Sequence, residues 1–175
     1  MFKRLLPPLL VCTAAASFSA PTLAQGYFGL GLGANFYNDV ETWGIEDEST
    51  AFEVKGGVRL VDVLAVEMSY LNLGEFRDFA EERDIGFSGV TLSGKAILPL
   101  GDQMDVYAKI GLFFWELDEK WGRTDYFLDE GEDLIFGVGA SFYVTEQVSV
   151  DLEYRALEML ELESELFTVG ISFSF

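Results

Sequence analysis

Residues Leu166 to Phe175 read LFTVGISFSF, and their alternation decides the fold. Phe167, Val169, Ile171, Phe173 and Phe175 fall on one face, and Thr168, Gly170, Ser172 and Ser174 on the other. That is the period of two of a β-strand. The bulky face needs an apolar partner, and the small face suits a narrow polar interior. Lipid outside and a barrel lumen inside satisfy both.

Working outward from this strand, seven more stretches repeat the pattern. Gly26 to Tyr37 sets Phe28, Leu30, Leu32, Ala34 and Phe36 against Gly29, Gly31, Gly33 and Asn35. Phe52 to Leu60, Leu64 to Tyr70 and Phe87 to Leu98 follow, then Val106 to Phe114, Leu134 to Tyr143 and Val148 to Arg155. The whole reads as all-β, an eight-stranded antiparallel up-and-down transmembrane β-barrel. Short turns fall near Val61 to Val63, at Pro99-Leu100-Gly101-Asp102 and at Thr145-Glu146-Gln147. The long connections, 38 to 50, 73 to 86, 118 to 132 and 157 to 165, therefore share the other end. Outer-membrane barrels keep short turns in the periplasm, so the long connections are expected outside the cell and both termini within.

A soluble lipocalin-type barrel would also have eight strands, but its apolar face would line the interior. Here the strand charges share a face with the glycines and oppose the bulky residues. Lys55, Arg59, Lys95, Lys109 and Arg155 point inward, together with Glu53, Glu67, Asp151 and Glu153. Charges in so narrow a lumen must be paired or hydrated. The expected arrangement joins Glu67 to Lys95 and distributes Lys109 and Arg155 among Glu53, Asp151 and Glu153, closing the lumen. Phe36, Tyr37, Tyr70, Trp115 and Tyr154, near strand ends, suit the aromatic girdles at the membrane surfaces.

Phe2-Lys3-Arg4, the apolar run Leu5 to Val11 and the small residues up to Pro21-Thr22-Leu23-Ala24 form a secretory signal peptide. Residues 1 to 24 are expected to be removed, leaving 25 to 175 as one barrel domain. The single cysteine, Cys12, lies in the leader, and Val11 before it does not suit a lipoprotein site. The mature barrel thus folds without disulfides.

The chain carries 30 acidic against 11 basic residues and no histidine. Such a charge excludes nucleic acid as a partner. Half of the residues are hydrophobic and 18 are glycine, a composition foreign to disorder. Without histidine the usual general base and the commonest metal ligand are missing. Ser149, Asp151 and Glu153 share a strand face, but in a lumen they read as ion-pair partners. No catalytic, cofactor or metal site is assigned. Acidic residues crowd two of the long connections: Asp39, Glu41, Glu46, Asp47 and Glu48 in the first, and Asp118, Glu119, Asp125, Asp129 and Glu130 in the third. Oxygen ligands of this kind can hold divalent cations.

Several segments together resemble the OmpA-like transmembrane domain family. They are Ala65-Val66-Glu67-Met68-Ser69-Tyr70-Leu71-Asn72-Leu73-Gly74, Lys95 to Pro99, Asp105-Val106-Tyr107-Ala108-Lys109-Ile110-Gly111, Tyr143-Val144-Thr145 running on to Leu152-Glu153-Tyr154, and the terminal LFTVGISFSF. The resemblance implies a barrel in the Gram-negative outer membrane, among lipid and lipopolysaccharide. It also implies insertion by the barrel-assembly machinery, which reads a terminal strand ending in an aromatic, here Phe173 and Phe175. In that family a lumen acid pairs with either a Lys or an Arg. Glu67 and Lys95 match two of those positions, and Asp151 stands at the third. The expected function is a non-enzymatic, monomeric outer-membrane barrel that stabilises the envelope or presents its surface to partners. The alternatives are a small-solute pore and an adhesin acting through its loops.

Overall fold

The computed structural model describes the backbone of residues 25–37, 48–78, 83–121, 124–159 and 162–175. Eight antiparallel strands close into a barrel in sequence order. They are β1 (Gln25–Tyr37), β2 (Glu48–Val61), β3 (Leu64–Asp78), β4 (Arg83–Pro99), β5 (Met104–Trp121), β6 (Thr124–Tyr143), β7 (Val148–Met159) and β8 (Leu162–Ser174). Closure is the pairing of β8 with β1, from Tyr27↔Ser174 to Tyr37↔Ser164. The last residue joins the seam, because the Phe175 amide donates to the Gly26 carbonyl at 2.9 Å. A closed ring leaves the membrane-spanning backbone without an edge, which hydrocarbon requires.

The alternation sorts the faces. Phe28, Leu30, Leu32, Val66, Met68, Phe136, Val138, Val169 and Ile171 are exposed on the outer wall, while Glu53, Glu67, Lys109 and Arg155 are buried within. The periplasmic-type turns are tight. Gly101, with φ of 83°, supplies the left-handed step after Pro99 and Leu100. Thr145 Oγ1 accepts from the amides of Gln147 and Val148 at 3.2 and 3.0 Å, a side-chain turn that needs no glycine.

Two expectations are corrected. The strands run well into the stretches read as long loops: β3 reaches Asp78, β5 reaches Trp121 and β6 starts at Thr124. Residues 118 to 132 are therefore mostly a hairpin extension, with Glu116↔Glu130 and Trp121↔Thr124 on the ladder. Above the lipid both faces of a strand can be polar, so hydrogen bonding continues after the apolar alternation stops. The acidic stretch 39 to 47 lies outside the described residues, as does the Tyr37 side chain. Second, Trp115 is no girdle residue. It is 3 % exposed and turned into the lumen, where its Nε1 donates to Asp133 Oδ2 at 2.6 Å. Phe36 and Tyr70 do face outward.

Inward glycines make room for these rings. Tyr27 faces Gly57, Tyr107 faces Gly139 and Trp115 faces Gly131 across the ladder. A Cβ on those glycines would overlap the opposing aromatic atoms. The glycine face is thus a set of sockets that fix where each ring lies.

Candidate functional site

The site is the lumen, and it has two layers. In the layer nearer the short turns, β3 supplies Glu67, β5 Lys109 and β7 Glu153. The Lys109 ammonium bridges the two acids, at 2.7 Å from Glu67 Oε1 and 2.5 Å from Glu153 Oε1. Arg155 continues the chain. Its Nε donates to Glu153 Oε1 and its Nη2 lies 2.5 Å from Glu53 Oε2, with the guanidinium only 1 % exposed. Tyrosine hydroxyls fill further acceptor sites: Tyr27 donates to Glu67 Oε2 at 2.7 Å and Tyr107 to Glu153 Oε2 at 3.0 Å.

Lys55 and Asp151 form a second pair at 2.9 Å, spanning from β2 to β7. The Asp151 carboxylate also accepts from Ser149 at 3.1 Å and from Ser172 at 2.5 Å. At the turn end, Arg59 lies 3.0 Å from Asp105 Oδ2, which Tyr143 also meets at 2.7 Å. Arg59 further donates to the Asp62 carbonyl at 2.6 Å, tying the β2–β3 turn to the rim. Asp105 was not on the expected list. Its parity with Tyr107 and Lys109 was the available signal, and with it five basic side chains meet five acids.

The nine expected lumen residues are all on the inner face, and Lys109 and Arg155 share Glu153 and Glu53 as expected, but the close Glu67–Lys95 pair does not form. Lys95 is 3.9 Å from Glu67, and Lys109 is Glu67's close partner. The cause is the register: Lys95 and Lys109 are direct cross-strand neighbours, and like charges so placed repel. Lys109 occupies the site between the two acids, while the Lys95 ammonium sits 3.5 Å from the centre of the Tyr107 ring, a cation–π contact. Below it a cavity of about 40 Å³ runs toward the short turns, lined among others by Arg59, Asp105, Ser141 and Ser172.

The layer nearer the long connections was not foreseen at all. Ala51, Leu71, Leu73, Phe87, Phe113, Trp115, Ile135, Leu157 and Leu166 pack there as one buried apolar cluster. Phe87 and Trp115 meet edge to face at 5.7 Å. The signal was present: in Tyr70-Leu71-Asn72-Leu73 and Phe113-Phe114-Trp115, apolar residues occupy inward positions. Chemically the site offers ion pairs and an apolar seal. Ser149 is spent on Asp151, and among the described residues no group of acids is gathered for a metal ion.

Comparison with known proteins agrees with this geometry. The chain matches the family model of the OmpA-like transmembrane domain over residues 21–174. Outer membrane protein A of Shigella dysenteriae is 25 % identical over 183 residues, covering 93 % of this chain and 52 % of that protein. This chain thus spans about half the length of that relative. Among solved structures, Neisserial surface protein A superposes with a TM-score of 0.69 at 16 % identity, covering 87 % of this chain and 99 % of that one. Ail, the attachment invasion locus protein of Yersinia pestis, in complex with the heparin analogue sucrose octasulfate, gives 0.62 at 11 % identity, with coverage of 87 % and 99 %. At these identities the two structures speak to the fold.

Proposed function

The chain belongs to the OmpA-like transmembrane domain family and resides in the outer membrane, and from that premise we propose that it is a closed, non-enzymatic barrel with a structural role in the envelope. One observation carries the reading: an apolar layer and a neutral ion-pair layer are stacked across the lumen. An ion would have to shed its hydration in the apolar layer, at a cost of many kcal/mol. In this reading the leader is removed after Ala24 and the barrel is a monomer. Phe173 and Phe175 serve as its assembly signal to the barrel-assembly machinery. Lipopolysaccharide surrounds the upper girdle, and divalent cations join its phosphates to the acidic connections. Ail's sulfated ligand does not carry over, since a chain with a net charge of −19 repels polyanions.

Liposome swelling tests the reading against the pore alternative. Vesicles holding the purified protein should swell in small sugars no faster than empty ones. Swelling in proportion to the protein added would replace the structural role with a solute channel.

A further inference from the structure

The strands do not end together above the closed ring. The β3–β4 ladder continues to Asp78↔Arg83, β4–β5 to Asp84↔Lys120 and β5–β6 to Trp121↔Thr124. On either flank the pairing stops sooner, β2–β3 at Phe52↔Asn72 and β6–β7 at Ile135↔Leu157. Four strands therefore stand above the rim as an open sheet. Its longer margin is β6 from Thr124 to Leu134, whose ladder runs to β5 only, among the described residues.

A sheet margin offers N–H and C=O groups to any extended chain, and proteins usually blunt it with lysine, proline or a bulge. Here the described margin carries a register shift, with Leu117 facing Asp129 but Asp118 facing Phe127, and a row of acids that turns away chains of like charge. Between that shift and the membrane, residues 129 to 134 contain neither proline nor lysine. At the usual rise they offer about 20 Å of margin. The stretch is also one-signed. Asp129, Glu130, Glu132 and Asp133 fall in it, and no basic residue occurs from Thr124 to Tyr143. Asp133 accepts from Trp115 on the inner side, while Glu132 is exposed on the outer side. Glu130 has a contact of its own and takes no part here.

We propose that this margin receives an extended basic polypeptide segment as an added strand. Main-chain hydrogen bonds to β6 give the affinity, and Lys or Arg at alternate positions falls on the face of Glu132. A second copy of the chain does not fit, because its own margin carries the same negative charge. The site lies outside the lumen and stands independently of the closed-barrel reading.

The probe is a capped ten-residue peptide of alternating Lys and Thr, followed by fluorescence anisotropy against the full chain in a neutral detergent. Its control is the same peptide with every backbone amide N-methylated, which keeps each charge and removes the ladder donors of both edges. N-methylation should weaken binding about tenfold or more, equivalent to one or two net hydrogen bonds. Glu132→Lys should also weaken it, while a heat-shifted gel mobility like that of the wild type shows that the variant barrel is folded. Equal binding of the two peptides would mean charge attraction alone and overturn the proposal. So would the absence of binding, or a dimer of the chain held through this margin.

Discussion

Toward the long connections the lumen is filled by Leu71, Leu73, Phe113, Trp115 and Leu166, whereas toward the short turns it is filled by Glu53, Glu67, Lys109, Glu153 and Arg155. The two halves occupy the same cylinder but respond differently to loss. In the apolar half a truncated side chain leaves a void, and the cost grows with the volume that neighbours fail to fill. In the charged half it leaves a buried ion without its counter-charge, and the cost is that ion's desolvation. Water separates the halves further. A charged layer can hydrate and still pass ions, while a packed apolar layer gives water no partners. The seal against ions therefore belongs to the apolar half, and the charged half holds the single side chain whose loss costs the most.

The comparison can be broken in three places, by denaturant unfolding of the barrel in lipid vesicles. Arg155→Met should cost the most, about 5 kcal/mol, because it removes the cation shared by Glu53 and Glu153. A cost under about 1 kcal/mol would mean that water replaces the guanidinium and that this half is not tightly coupled. Phe113→Ala should cost about 3 kcal/mol through the cavity it leaves in the apolar cluster. Glu67→Gln should cost about 2 kcal/mol, since Lys109 keeps Glu153 but loses its second acid. Lys109→Met added to Glu67→Gln should recover more than Lys95→Met does, because Lys95 approaches Glu67 only to 3.9 Å. The opposite order would restore the Glu67–Lys95 pairing expected from sequence.

The transmembrane strands were legible because lipid imposes a strict period of two, and LFTVGISFSF shows it without interruption. Strand ends were not, because Asp118 and Glu119 interrupt the apolar alternation in the sequence while their backbone stays on the ladder. The inner residues could be named from parity, and Lys109 and Arg155 take acids from the expected set, but the close partners of Glu67 and Lys55 could not be named. Lumen side chains reach across the barrel, as Lys55 does from β2 to Asp151 on β7, and no local spacing encodes that reach. Lys95 illustrates the point: its displacement by Lys109 follows from a cross-strand neighbour 14 positions away. Trp115 was placed on the wrong face because aromatics near strand ends suit the interface equally well. The socket at Gly131, on the neighbouring strand, was the sign that it turns inward.

Planar-bilayer conductance of two variants tests the division of labour most directly. One variant, Glu67→Gln with Lys109→Met, alters the charged layer and leaves the apolar layer whole. The other, Leu71→Ser with Phe113→Ser and Leu166→Ser, opens the apolar layer and leaves the ion pairs in place; both are first shown to be folded by heat-shifted gel mobility. The first should stay as closed as the wild type and the second should carry a steady current. Current through the first, or none through the second, would contradict the assignment of the seal to the apolar half.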